Sequence, residues 1–355
     1  MNRRVMVAPL DWGLGHATRC IPLIRELLAR NCEVIVAGSG PSLQLLRNEF
    51  PDLPVVELPG YPVRYSSSTS QVWTLAAQLP RLLKTFLEEQ RATEKIVAQY
   101  DVELVISDNR YGCRSSRAIN VFMGHQVNLI LPKEIKRLTR TANRLQSGLV
   151  AKFDRWWVPD HAGHDGLAGT LSASDRRGLR YVGPLSRFNR IERTTQAFDL
   201  AFLLSGPEPQ RTLLERWVLS VAPTTSLKLA LVRGTSAALH EAPASNLSVF
   251  NLLVAEEVAN IMAASDVVVA RSGYSTIMDL YHTGGRAVFV PTPGQTEQEY
   301  LACRMAELGY AGFVEQHHID LESIVRTASA YRGFPGKAQD LSQLRRALDE
   351  VLAIQ

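Results

Sequence analysis

Short apolar, β-branched runs alternate along the chain with longer stretches in which apolar residues recur every three or four positions. The first pattern predicts strands over 4–8, 33–37, 55–58, 103–107, 121–123 and 156–158. The second predicts helices between them, notably over 16–30 and within 72–99. A second series of strands is expected over 199–204, 227–231, 247–251, 266–270 and 287–290, again with helices between. Strands separated by helices require crossovers, and such crossovers build a parallel sheet covered on both faces. The pattern therefore predicts two doubly wound halves: residues 1–190, closed by the stretch 181–188, and residues 197–335, with the polar stretch 189–196 as linker. A last amphipathic helix, over 337–354 within a segment 336–355, is free to fold back on the first half.

Open α/β sheets bind ligands outside the C-terminal ends of their strands, and the polar residues of this chain gather at such ends. After the strand at 266–270, Arg271-Ser272-Gly273 opens a helix carrying Thr276 and Asp279. A helix N-terminus offers unpaired N–H groups and positive dipole, which suits a diphosphate met also by Arg271. Asp279 and the downstream pair Gln298-Glu299 suit neighbouring ribose and sugar hydroxyls. The loop Ser205-Gly206-Pro207-Glu208-Pro209-Gln210-Arg211 follows the first strand of the second half. Gly206 permits close backbone approach there, and Ser205 and Arg211 can meet phosphate. Pro207 and Pro209 remove two N–H donors, so an ordinary strand-to-helix turn remains the alternative.

In the first half, Asp11-Trp12-Gly13-Leu14-Gly15-His16-Ala17-Thr18-Arg19 follows the first strand. His16, on a glycine-lined turn and with an ordinary pKa near working pH, is the candidate base or hydrogen-bond donor, and Asp11 is the rival base. Asp108, Asn109 and Arg110 end one strand and His125 follows another, offering several groups to a sugar or polyol acceptor. Capping and turn chemistry is the competing explanation for each of these.

These motifs together resemble the nucleotide-sugar-dependent glycosyltransferases of GT-B architecture, most closely the MurG-like branch of family 28. The resemblance runs almost without a gap from Arg271 to Tyr300 and again over Gly13, Gly15 and His16, where the branch has a glycine-rich turn ending in His. It implies two Rossmann-like domains facing a central cleft, with donor in the second and acceptor in the first. Gly13, Gly15, Ser205, Gly206, Arg211, Arg271, Ser272, Gly273, Thr276, Asp279, Gln298 and Glu299 would serve the donor. Two departures bear on the donor: Asp279 stands where the branch has a glutamate holding the ribose, and Glu299 replaces an amide by a carboxylate, which only accepts hydrogen bonds when ionised. The form Gly-x-Gly-His-x-x-Arg is also similar to the UDP-sugar hydrolase of pseudaminic acid biosynthesis. The expectation is an inverting hexosyl transfer from a UDP-sugar to a hydroxyl, with hydrolysis, epimerisation or non-catalytic nucleotide-sugar binding as alternatives. No cofactor and no metal are expected, since no Asp-x-Asp triad is present.

Composition narrows the setting. A chain of 355 residues with 46% hydrophobic content supports two cores. No apolar run approaches the ~20 residues of a spanning helix, and Met1 leads directly into a strand, so a cytoplasmic protein is expected. Cys20, Cys32, Cys113 and Cys303 lack metal-ligand or disulfide spacing and read as buried thiols. His161, His164, His240, His282, His317 and His318 show no ligand spacing either. Charge is asymmetric: up to Trp157 there are 21 Lys and Arg against 14 Asp and Glu, and beyond it 18 against 21. Much of the excess is Lys133, Lys136, Arg137, Arg140, Arg144, Lys152 and Arg155, interleaved with Leu138, Leu145, Leu149, Val150, Phe153, Trp156 and Trp157. That stretch is either a solvated face over a core or a peripheral contact with an anionic membrane or lipid-linked acceptor at the inner membrane face. Nucleic acid is not an expected partner, because no recognised binding motif accompanies the charge.

Overall fold

The computed structural model describes residues 3–61, 72–176, 178–188, 191, 192, 194–206, 208–239 and 243–354, with backbone alone for 72–77 and 79. Pro207, His240 and parts of the 189–196 linker lie outside the described residues. The chain divides into two compact units. The first joins the residues up to 61, Ala76–Arg187 and the stretch from Asp340 onward; the second joins Phe188–Gln339 with, among the described residues, 72–75.

In the first unit the strands are β1 (Arg4–Pro9), β2 (Glu33–Gly38), β3 (Val55–Glu57), β4 (Leu104–Asp108), β5 (Ile119–Met123), β6 (Arg155–Val158) and β7 (Leu179–Tyr181). Helices α1 (Gly15–Leu28), α2 (Gly40–Glu49), α3 (Val72–Tyr100) and α4 (Thr139–Val150) fall between them. All pairings are parallel, in the order β3-β2-β1-β4-β5-β6-β7. Val5, Met6, Val7 and Ala8 of β1 are all fully buried, as a strand covered on both faces requires.

The second unit repeats the plan. Its strands are β8 (Phe198–Leu203), β9 (Leu229–Val232), β10 (Leu247–Phe250), β11 (Ser265–Ala270), β12 (Arg286–Phe289) and β13 (Gly312–Phe313), in the parallel order β10-β9-β8-β11-β12-β13. The helices are α5 (Gln210–Val221), α6 (Ala255–Ala263), α7 (Tyr274–Thr283), α8 (Thr296–Glu307) and α9 (Leu321–Ala330). Leu200, Phe202, Val267, Val269 and Val288 pack from the sheet against Leu214, Val218 and Ile324 of the helices. In both units strand order reverses beside the first strand, between β1 and β4 and between β8 and β11. Such a reversal opens a crevice at the strands' carboxyl ends, the place where doubly wound sheets hold nucleotides.

The last helix, α10 (Ser342–Leu352), belongs to the first unit. Leu344, Ala347, Leu348 and Val351 make a buried i, i+3, i+4, i+7 stripe, with roughly 1.5–3 kcal/mol for each large side chain buried. Arg345 forks onto Glu26 of α1 at 2.9 and 3.0 Å, and Arg30 reaches Asp349 at 3.1 Å. The helix starts at Ser342, not at Lys337: the Lys337 amide donates to the Tyr281 carbonyl of the second unit, and Asp340 accepts from the Ser342 amide at the turn into α10.

The stretch 133–157 is not one helix. A 3-10 turn over Lys133–Leu138 leads into α4, and the chain then enters β6, which buries Trp156 and Trp157 in the sheet. Phe153 and Val150 are buried with them, so these four are core residues and not surface anchors. Among the cysteines, Cys303 is exposed and the other three are buried.

Candidate active site

At the first strand reversal, β1 ends at Pro9 and the chain turns through Leu10–Leu14 into α1. Gly13 has φ 102°, a left-handed conformation that only glycine takes without strain. The Gly13 carbonyl accepts from the Ser42 hydroxyl of α2 at 3.0 Å, and the Leu10 amide donates to the Asp108 carbonyl at 3.0 Å. His16 is thereby fixed in the first turn of α1, its side chain 16% exposed. Its Nδ1 lies 3.2 Å from Asp108 Oδ1 and 2.9 Å from an Arg19 Nη2. Burial first, then the Arg19 cation, holds the imidazole pKa below its ordinary value. The positive end of α1 acts in the same direction.

Asp108 is not an acceptor ligand, which corrects the sequence reading. It is fully buried and clasped by Arg19, with Nε donating to Oδ2 at 2.6 Å and Nη2 donating to Oδ1. Burial alone would raise its pKa, but Arg19 and His16 overcome that and bring it to about 2. His125 is 3% exposed with Nδ1 3.2 Å from Arg19 Nη1, so it too is a buried neighbour instead of an acceptor contact. Arg110 is fully buried: it donates to Glu89 at 2.6 Å and to the carbonyls of Pro9 and Pro59 at 3.1 and 2.6 Å. It is a strut tying the ends of β1 and β3 together. Asn109, half-buried with φ 62°, is the one acceptor candidate of the four that keeps a partly open side chain.

Asp11 is also half-buried, with Oδ2 accepting from the Ser39 hydroxyl at 2.7 Å and Oδ1 3.5 Å from the Tyr61 amide. The neighbouring Trp12 is 38% exposed, edge-on to Tyr61 at 6.5 Å. Tyr61 donates its hydroxyl to Glu89 at 2.7 Å. Arg19, Tyr61 and Glu89 were not assigned roles from the sequence, although His16 and Arg19 stand three apart on a helix and so share a face.

At the second reversal the residues sort differently. Gly273 is the N-cap of α7, with φ −70° and ψ 144°, and as a glycine offers no side-chain cap of its own. A methyl placed on Gly273 would meet nothing within 4 Å, and neither would one on Gly206, which has φ 103°. Ser205, Gly206, Gly273 and Thr276 are all half-buried and bracket the strand reversal, while Asp279, 6% exposed, lies on the second turn of α7. The cations expected to meet phosphate are engaged by protein groups. Arg271 is 2% exposed and donates to the carbonyls of Val290 and Gln210, both at 2.9 Å, and burial pulls its pKa down to about 10. Arg211 is occupied by Glu208 at 2.8 Å, by Glu215, and by the Thr212 hydroxyl at 2.8 Å.

Three more donor candidates brace turns. The buried Ser272 hydroxyl donates to the Gln298 carbonyl at 2.7 Å, and Gln298 Oε1 accepts from the Thr292 amide at 2.8 Å. Glu299, exposed, accepts from the Gly294 amide at 2.9 Å. Together they lock the turn before α8 against the start of α7.

Comparison with known proteins agrees with this fold. Residues 210–343 match the glycosyltransferase family 28 C-terminal domain. An uncharacterized glycosyltransferase of Methanosarcina acetivorans is 24% identical over 96% of this chain and 92% of its own length. The fold matches the solved glycotransferase of kitacinnamycin with a TM-score of 0.60 at 19% identity, over 99% of this chain and 96% of that one. The chain is a glycosyltransferase of GT-B fold, and its stretch 210–343 resembles the family 28 C-terminal domain. A shorter stretch of this glycosyltransferase, 72 residues or 20% of each chain, is 38% identical to the UDP-N-acetylglucosamine–N-acetylmuramyl-(pentapeptide) pyrophosphoryl-undecaprenol N-acetylglucosamine transferase of Histophilus somni.

Proposed function

We propose that this glycosyltransferase takes its sugar from a UDP-sugar and transfers it to a hydroxyl acceptor, with inversion and without a metal cofactor. The observation that carries the donor reading is the glycine N-cap of α7 at Gly273, where an added methyl meets nothing within 4 Å, with Gly206 equally open on the other side of the strand reversal. First-turn N–H groups and the helix dipole take the charge of a diphosphate, and they do so without a cation. Asp279, one turn further along α7, is the group for the ribose hydroxyls. The UDP-sugar named for the Histophilus somni relative favours uridine as the base. In the first unit His16 meets the acceptor hydroxyl.

The acceptor reading extends to a surface. Lys133, Lys136, Arg137, Arg140, Arg144, Lys152 and Arg155 are exposed, and Leu138 and Leu145 stand among them at 54% and 67% exposure. Among the described residues no helix is long and apolar enough to cross a membrane. A basic face with two protruding leucines suits reversible contact with an anionic bilayer presenting a lipid-linked acceptor at the inner face.

Calorimetric titration with UDP tests the donor assignment. Binding is expected, and Asp279→Ala is expected to weaken it severely; equal affinity in a folded variant removes Asp279 from the donor site.

A further inference from the structure

Four polar side chains meet beneath the first turn of α1, and one of them never releases its proton. The Arg19 guanidinium is 2% exposed and stays charged at any working pH. Its Nε and Nη2 hold the two oxygens of Asp108, while Nη2 also lies 2.9 Å from His16 Nδ1 and Nη1 3.2 Å from His125 Nδ1. Nη2 carries two hydrogens, so it can serve Asp108 and His16 together. A ring nitrogen facing a guanidinium N–H has to present a lone pair, because a proton there would set N–H against N–H. The alternative donor-acceptor pairing, from His16 Nδ1–H to Asp108 Oδ1, spans 3.2 Å, and that oxygen already receives Arg19. In a neutral ring the two pairings exclude each other. The shorter contact and the fixed charge of Arg19 favour the first.

We propose that Arg19 is a positioning residue that keeps the proton of neutral His16 on Nε2, so that the ring meets substrate as an N–H donor and not as a base. Both described contacts of the ring use Nδ1, which leaves Nε2 for a ligand. The inference rests on His16 being the substrate-facing group of the first unit. Its consequence for transfer is a division of labour on one turn. The acceptor hydroxyl gives its proton to the Asp11 carboxylate as its oxygen bonds to the anomeric carbon. The bond from that carbon to the diphosphate breaks, and UDP leaves with the electron pair. The Nε2–H of His16 hydrogen-bonds a substrate oxygen throughout and is not transferred, and Asp11 returns its proton to water.

The test is imidazole nitrogen NMR on ligand-free, 15N-labelled protein above pH 8, with the His16 signals assigned by their loss in His16→Gln. The expected pattern is an unprotonated Nδ1 and a protonated Nε2, moving toward the opposite tautomer in Arg19→Gln. A protonated Nδ1 with a bare Nε2 in the wild-type protein overturns the proposal, whether or not Arg19→Gln folds. The readout needs no sugar donor, so it stands or falls separately from the UDP-sugar assignment. Turnover of a UDP-sugar by His16→Gln adds a second reading. The glutamine amide keeps an N–H donor and should hold activity within about tenfold, whereas loss of a general base costs about 10²–10⁴-fold.

Discussion

Gly273→Val separates the ligand from the fold. At φ −70° and ψ 144° the backbone suits any L-residue, and a Cβ there finds nothing within 4 Å. The fold should therefore lose only the difference between glycine and a poorer N-cap, about 0.5–1 kcal/mol. For a unit of this size that lowers the melting temperature by about 2–4 °C at most. A bound diphosphate is affected far more, because the isopropyl group fills the space in front of the first turn of α7. Loss of the dipole term, about 1 kcal/mol, and of one charge-assisted hydrogen bond, about 1.5–3 kcal/mol, sums to about 2.5–4 kcal/mol. At 1.4 kcal/mol per decade, UDP affinity should fall by about two to three orders of magnitude. Calorimetric titration with UDP, paired with a thermal scan of the ligand-free protein, reads both quantities. A folded variant with undiminished UDP affinity would refute the reasoning, since α7 would then not be the anion site.

Arg211→Ala should do the reverse: Glu215 keeps Arg233 at 2.8 Å but loses its buried α5 partner, a charge-assisted contact of about 1.5–3 kcal/mol in urea unfolding, while the folded fraction binds UDP as before. Stability should also fall in two steps with acid. His16 is harder to protonate folded than unfolded, so the unfolded chain binds the extra proton and stability declines as pH drops below about 6.5; Asp108, lowered from 3.8 to about 2, contributes stability above its unfolded value that is lost as pH falls toward 2. His16→Gln should remove the first step and keep the second in denaturant titrations across pH; a first step that survives would place its origin elsewhere. Vesicle sedimentation should show binding to anionic but not neutral lipid, lost in high salt and on changing Lys136, Arg137, Arg140 and Arg144 to Gln, at about 1 kcal/mol per cation; no sedimentation at low salt leaves a solvated face.

Both sheets were legible in the sequence to within two or three residues per strand, because their strands are buried on two faces and show as apolar runs. The exceptions were β7, whose three half-buried residues Leu179-Arg180-Tyr181 form no apolar run, and β13, two residues long. The site was legible by position and less so by role. His16, Gly273 and Asp279 fall at strand ends or on the helix that follows one, as the alternation implies. The arginines were read as ligand contacts, Arg211 and Arg271 to phosphate and Arg110 to acceptor, because a cation near a turn suggests one, whereas its partner is chosen in three dimensions. Arg271 is held by carbonyls 19 and 61 residues away, and Arg110 by a carboxylate 21 residues away. Arg19 showed only its spacing from His16; the carboxylate that makes it matter, Asp108, lies 89 residues on.

Glycosyl transfer itself is tested most directly by incubating the protein with a panel of UDP-sugars, alone and with pools of sugar, polyol and polyprenyl-lipid acceptors, and measuring UDP together with the sugar product. The account predicts that one donor releases UDP slowly alone and faster with an acceptor, matched mole for mole by a new glycoside. Rapid stoichiometric release of free sugar without acceptor would show a hydrolase instead, and UDP binding with no turnover of any donor would contradict the enzyme reading altogether.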